Sequence, residues 1–274
     1  MKVAYYSNYF GYKSGSGRSA IDVLFALERT FDEVFVITYS NNIKISDPYV
    51  IARNRIKWIC VPRKDRLKFS NTRTFFKELL RYIYYSIQAI RYRKNGEFVK
   101  KLKVDLLLIN SIGGHQLLEQ YRLGSYNKSI FVMRGTPTTF DSNKTNKGVK
   151  LKEVISMFEY YDMPIFVSRI TQDKWESLGK IKGKKGIYIP NCADEAKSLK
   201  LLKESRVLIK RKLNIPNDKF NVAFVANIQF GKGHDVIIKE LDNIINLIPE
   251  VKIHFIGAAL DDWAKSLKRE SKKK

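Results

Sequence analysis

The stretch FVANIQFGKGHDVII (Phe224–Ile238) decides how the chain is read. An apolar run ends in a turn, Lys232 stands between Gly231 and Gly233, and apolar residues then recur with a helical period. Strand, glycine turn and helix in that order are the first half of a βαβ unit. A cation held between two glycines at the mouth of a helix points to a phosphate, because the first N–H groups of a helix and its dipole favour an anion there. The stretch is not a Walker A loop. The place of that motif's first glycine holds Ala226, and the place of its Ser or Thr holds Gly233. A P-loop ATPase is therefore excluded, while phosphate recognition is retained.

Working outward, the same alternation fills the chain. Strand-like runs lie at Lys2–Ser7, Val34–Tyr39, Lys57–Pro62, Asp105–Asn110, Ser129–Arg134, Pro164–Ser168 and Gly186–Asn191. Helical patterns separate them at Ser19–Phe31, within Thr72–Lys101, and at Gly114–Arg122, Lys147–Tyr160 and Arg169–Leu178. Near-continuous apolar strands between amphipathic helices predict an α/β fold with a parallel sheet covered on both faces. Residues 1–192 form a complete Rossmann-like domain on this reading, 193–218 a polar linker with a helix, and 219–274 the start of a second Rossmann-like domain. One βαβ unit cannot close a doubly wound sheet, so the second domain is expected to be incomplete, with an exposed edge. The Lys-rich tail is expected to be a solvated end.

Charge narrows the partners. The chain has 51 Lys and Arg against 27 Asp and Glu, a net +24, and so should meet something anionic. Thirteen basic and three acidic residues fall between Arg63 and Lys103, interleaved with aromatics. Phe75, Phe76, Leu79, Leu80, Ile83, Tyr84, Ile87 and Ile90 recur there at helical spacing. Such a basic amphipathic helix either faces the core with a solvated basic side or rests on an anionic membrane surface. No RNA-recognition, zinc-knuckle or helix-turn-helix signature accompanies the charge, which argues against nucleic acid. Cys60 and Cys192 have no CxxC spacing, and no run approaches the ~20 apolar residues of a membrane span. A cytoplasmic protein, peripheral on the inner membrane face, is the expectation.

The first loop, SNYFGYKSGSGRSAID, contains Gly15-Ser16-Gly17 in a G-x-G-x-x-A pattern, with Ser19 and Asp22 spaced as a capping box. Seven residues separate Ser7 from Gly15, and the second strand ends in TYSNN without an acid. Both features disfavour a nicotinamide site and leave a longer phosphate- or sugar-facing loop, or a plain flexible turn. Taken with FVSRITQDKWESLG, GIYIPNCAD and the Lys232 stretch, this loop resembles glycosyltransferase family 4 along nearly the whole chain. These are retaining transferases of the GT-B fold, with two Rossmann-like domains facing across a cleft.

The resemblance implies a nucleotide-sugar donor, used as substrate with no separate cofactor, and a glycan or lipid-linked acceptor. It places the donor diphosphate against Gly15, Ser16, Gly17, Asn227, Lys232 and Gly233, with Lys232 stabilising the departing nucleotide. Asn227 stands where the family has Arg, Cys192 where Gly is usual, and the later donor-site glutamates would lie beyond Lys274. The alternative is accordingly a non-catalytic remnant, or a subunit whose partner completes the donor site.

On the acceptor side, NSIGGHQ and MRGTPTTFD leave the carboxyl ends of parallel strands and offer Ser111, His115 and Arg134. His115 is open between a sugar contact and an internally satisfied histidine. Arg134 is open between an anionic ligand and an internal ion pair. His234 is expected to cap its helix, and His254 to be structural. Scattered histidines without paired acids argue against a metal. No catalytic residue is assigned.

Overall fold

A computed structural model describes residues 1–8, 10, 15–39, 54–62, 83–84, 86–88, 90–138, 151–179, 186–191, 199, 203, 205–259, 263–264 and 266–267. The chain divides into two compact units, Met1–Cys192 and Ala193–Lys274. Most of the basic amphipathic stretch before residue 83 lies outside the described residues, as do Cys192, the Lys-rich tail and the first residues of the expected Lys147–Tyr160 helix.

Unit 1 is built on seven strands: β1 (Lys2–Tyr6), β2 (Glu33–Tyr39), β3 (Ile56–Val61), β4 (Lys103–Asn110), β5 (Ser125–Met133), β6 (Met163–Phe166) and β7 (Ile187–Tyr188). All pair in parallel, in the order β3-β2-β1-β4-β5-β6-β7. The chain steps outward from β1 to β3, then returns to lay β4 against the free side of β1. The strands are almost wholly apolar because both sheet faces are covered. Successive side chains point to opposite faces. Ala4, Tyr6, Leu107 and Ile109 thus join one buried cluster, and Val3, Tyr5, Leu106 and Leu108 the other. Each buried aliphatic side chain contributes about 1.5–3 kcal/mol, so two such layers hold the sheet together.

Five helices of unit 1 are described: α1 (Gly15–Thr30), α2 (Arg93–Lys101), α3 (Ser111–Gln120), α4 (Leu151–Tyr160) and α5 (Arg169–Glu176). In α1, Gly17, Ala20, Ile21 and Leu24 are buried, one face at helical spacing. In α5, Ser168 is the N-cap and its side chain accepts from the Thr171 N–H, while Trp175 is fully buried.

Unit 2 contains α6 (Arg206–Lys212), β8 (Phe220–Val225), α7 (His234–Lys239), α8 (Leu241–Leu247) and β9 (Val251–Ile256). The two strands pair in parallel from Phe220↔Val251 to Val225↔Ile256. α6 stops where Asn214 takes a left-handed φ of 52° ahead of Pro216. Val225, Phe230 and Leu247 remain exposed.

Three sequence expectations shift. α1 begins at Gly15, so the glycine pattern is its first turn and the Ser19–Asp22 pair is internal to the helix; no capping box forms there. α3 begins at Ser111, three residues before the expected start, because the turn is made by Ser111 itself at φ 68°. The single helix expected after Lys232 is split at Glu240 into α7 and α8.

Candidate functional site

Strand order reverses between β1 and β4, one running outward to β3 and the other to β7. In open α/β sheets ligands bind outside the carboxyl ends of the strands at such a reversal. The residues gathered there are polar. Ser7 follows β1, Asn110 ends β4, and the Asn110 amide donates to Ser7 Oγ at 3.1 Å across the reversal. The chain then turns at once into α3. A Cβ on Gly114 would stand 2.7 Å from the Tyr6 carbonyl oxygen, and one on Gly113 would stand 2.1 Å from Asn8 Nδ2. The two glycines of NSIGGHQ therefore exist so that α3 can sit against the end of β1. Ser111 is held at the lip in left-handed backbone, a costly conformation for a non-glycine residue.

Arg134, just past β5, anchors the same place. Its Nε donates to Asn110 Oδ1 at 2.9 Å, and its Nη1 donates to Ser19 Oγ at 3.0 Å and Asn191 Oδ1 at 3.2 Å. Ser19 in turn donates to Asn191 Oδ1 at 2.7 Å. The guanidinium thus ties α1, β4, β5 and the segment after β7 together, and every one of these partners is neutral. Among the described residues no carboxylate pairs with it, although Asp22 is close in sequence to Ser19; Asp22 is taken by Arg18 at 3.1 Å. Burial pulls the Arg134 pKa below its ordinary value, with Tyr5 acting in the opposite sense. A half-buried cation without a counter-ion is poised for an anion. Its loop is fixed from beneath, where Trp175 Nε1 donates to the Gly135 carbonyl at 2.7 Å.

Gly15 and Ser16 are exposed in the first turn of α1, and a Cβ on Gly15 would meet nothing within 4 Å. The fold itself does not demand glycine there. Gly17 is buried.

His115 does not join this group. It lies in the second turn of α3, buried, with Nδ1 2.5 Å from the Tyr161 hydroxyl and Nε2 3.5 Å from Glu119 Oε1. Burial lowers its pKa from the ordinary value, with Glu119 pulling the other way, so the ring is neutral near pH 7. The Glu119 carboxylate accepts from Nε2–H, which leaves Nδ1 to accept from the tyrosine. Burial likewise holds the Tyr161 hydroxyl protonated.

In unit 2 the β8–α7 loop carries Asn227, half-buried, and Lys232, exposed. Gly231 and Gly233 both take left-handed backbone, at φ 81° and 85°, so the two glycines are what allow Lys232 to be presented on a tight turn. The loop packs closely on the chain after β9, where a Cβ on Gly257 would meet the Ala226 carbonyl oxygen at 1.9 Å. His234 is not a cap. The N-cap is Gly233, and the imidazole is fully buried with ring centroids 4.8 Å from Phe224 and 5.2 Å from Phe255. Among the described residues neither of its nitrogens has a hydrogen-bond partner. His254 Nε2 lies 2.8 Å from Asn221 Oδ1 across the two strands, a structural pairing.

Sequence reading singled out Ser111 and Arg134 but missed Ser7, Ser19, Asn110 and Asn191. The signal of Ser7, Asn110 and Asn191 was present as a polar residue closing an apolar strand in YYSN, LLLIN and YIPN, whereas Ser19, inside α1, carried none.

No family model and no curated protein matches the sequence. Solved structures do match. The Anabaena protein HepE, in complex with UDP and glucose, superposes with a TM-score of 0.62 at 15% identity, over 100% of this chain and 66% of its own. The UDP-forming alpha,alpha-trehalose-phosphate synthase from Burkholderia vietnamiensis gives 0.56 at 12%, over 99% and 67%. Sucrose-phosphate synthase from Thermosynechococcus elongatus gives 0.53 at 15%, over 99% and 73%. The chain thus spans about two thirds of the length of the first two. At these identities the likeness is one of fold, and it settles the architecture: an α/β chain of the GT-B kind, with a complete Rossmann-like sheet and part of a second.

Proposed function

We propose that the chain is a glycosyltransferase of the family 4 type, moving a sugar from a nucleotide-sugar to a glycan or lipid-linked acceptor with retention of configuration. The observation that carries the reading is a guanidinium, Arg134, whose partners among the described residues are all neutral, at the strand-order reversal of a GT-B-like fold. Unit 1 would present the Gly15-Ser16-Gly17 turn at the start of α1 to phosphate oxygens. Ser111 and Arg134 would hold the acceptor or an anionic group on it. Unit 2 would supply Lys232 to neutralise the diphosphate as the bond to the sugar breaks, with Asn227 donating a hydrogen bond. His115 is left out of this site because Tyr161 and Glu119 engage its ring. The nucleotide-sugar is a substrate, and no further cofactor enters the scheme.

Unit 2 would need completing for transfer. Phe220, Val225 and Ile256 of its two parallel strands are exposed, whereas parallel sheets are covered on both faces. We take further strands, from a longer chain or from a partner, as their cover.

We further propose an anionic membrane surface on the cytoplasmic side as the docking place. Ile83, Tyr84, Ile87 and Ile90 are exposed at helical spacing, beside Arg91, Arg93 and Lys94. Among the described residues no helix is long and apolar enough to cross a membrane.

The test is nucleotide release from a panel of nucleotide-sugars with glycan and lipid-linked acceptors, comparing wild type with Lys232→Ala. Turnover should fall by about 10²–10³-fold, the cost of one lost transition-state partner. Equal turnover in the two proteins would remove Lys232 from the mechanism.

A further inference from the structure

A cavity of about 280 Å³ opens in unit 1 between the carboxyl-terminal ends of α3 and α4. Its walls include His115, Glu119, Arg122, Tyr126, Tyr160 and Tyr161. Its near wall, His115, follows the Gly114 that packs on the end of β1, but its mouth lies toward the start of β5, away from Arg134. Tyr126 stands near the start of β5 and Arg134 just past its end, and eight residues of strand at ~3.3 Å each separate them by about 26 Å.

The floor is rigid. The Tyr161 ring stacks on Phe131 with centroids 5.0 Å apart, and its hydroxyl meets His115. The rim is open. Tyr160 is 71% exposed and Tyr126 40%, so two tyrosines at the cavity wall reach solvent. Glu119 and Arg122, three residues apart on and just after α3, bring an acceptor-only group and a donor-only group to the same opening. Among the described residues the Glu119 carboxylate lies against the neutral His115 ring, and no ion pair joins it to Arg122.

This combination selects a ligand class. A simple anion would meet Glu119, a simple cation would meet Arg122, and a wholly apolar molecule would strip water from both without compensation. A hydroxyl both donates and accepts, so a polyol satisfies the carboxylate and the guanidinium together. The flat C–H face of a sugar ring suits an exposed tyrosine, whose ring is apolar and whose edge is polar. The volume admits one or two sugar rings and falls short of a nucleotide-sized site.

We infer that the α3–α4 cavity is a binding site for a neutral sugar unit, separate from the site proposed for transfer. It does not depend on the chain being a transferase.

The experiment is ligand-observed NMR on the full chain with maltose, cellobiose, lactose and N,N′-diacetylchitobiose, repeated with Tyr160→Ala and Glu119→Gln. Tyr160 is exposed and outside the core, so its replacement leaves the fold in place, which circular dichroism checks. At least one disaccharide should bind, about tenfold more weakly to Tyr160→Ala, and more weakly to Glu119→Gln. Inorganic phosphate and glycine should not displace it. The inference is overturned if wild type binds none of the four, if Tyr160→Ala binds as tightly as wild type, or if phosphate or glycine competes. A shift by UDP that is retained in Tyr160→Ala, alongside lost sugar binding, would show that the two sites are independent.

Discussion

Replacing Arg134 by Met keeps most of the side-chain volume and removes the guanidinium. Its Nε bond to Asn110 and its two Nη1 bonds to Ser19 and Asn191 make three hydrogen bonds; because Ser19 and Asn191 stay bonded to each other without the guanidinium, the Nη1 pair is counted as one contribution. At about 1.5–3 kcal/mol per contribution, their loss removes about 3–6 kcal/mol. Against this, the native protein keeps a partly dehydrated cation with no carboxylate beside it among the described residues, an arrangement that costs several kcal/mol. The two terms should cancel to within about 2 kcal/mol, a shift in melting temperature of no more than about 8 °C for a unit of this size. Anion binding has no such compensation. A guanidinium–phosphate pair contributes roughly 2–4 kcal/mol, so affinity should fall by roughly 30- to 1,000-fold. Thermal denaturation by circular dichroism and calorimetric titration with inorganic pyrophosphate separate the two quantities. Unchanged affinity combined with a stability loss above about 4 kcal/mol would make Arg134 a structural clip and refute the argument.

Other outcomes follow from the same geometry. His234→Leu removes two unpartnered buried nitrogens at similar volume and should stabilise unit 2 by about 1–3 kcal/mol, read by amide hydrogen exchange of β8 and β9; faster exchange would show a hidden partner. The folded pKa of His115 lies below its unfolded value of about 6.5, so the folded state binds fewer protons. Its stabilising contribution is therefore complete above about pH 6.5 and is lost as pH falls through the folded value. The groups facing it are Glu119, Arg122, Tyr126, Tyr160 and Tyr161. Melting temperature should accordingly drop more steeply in wild type than in His115→Gln on acidification from about pH 7.5 to 5, and parallel curves would contradict this. Vesicles of phosphatidylglycerol should retain the chain at low salt and release it at high salt, through the basic flank of the Ile83–Ile90 stripe. Equal retention by phosphatidylcholine vesicles would count against that surface.

Much of unit 1 was legible because parallel strands leave a strong pattern. Val34–Tyr39 and Asp105–Asn110 are apolar on both faces, and only a sheet covered on both sides asks for that. The starts of α1 and α3 were less legible. Gly15–Gly17 reads as a loop, yet its glycines are helical, and Ser111 turns the chain with a positive φ that no local preference for serine announces. The candidate site was half visible. Arg134 stood out as a cation after a strand, whereas Asn191 reaches it from 57 residues away, a closeness that only strand order creates. His115 could be seen as a candidate, but its direction could not. Helix rotation decides whether a side chain faces the strand ends or Tyr161, and that rotation follows from Gly113 and Gly114 packing on Asn8 and Tyr6.

The most direct measurement is thermal stabilisation of the chain by a panel of nucleotide-sugars and their free nucleotides, in wild type and Lys232→Ala. The account predicts that at least one nucleotide-sugar raises the melting temperature of wild type and that the rise is lost or sharply reduced without the lysine. No shift with any nucleotide, or the same shift in both proteins, would contradict it.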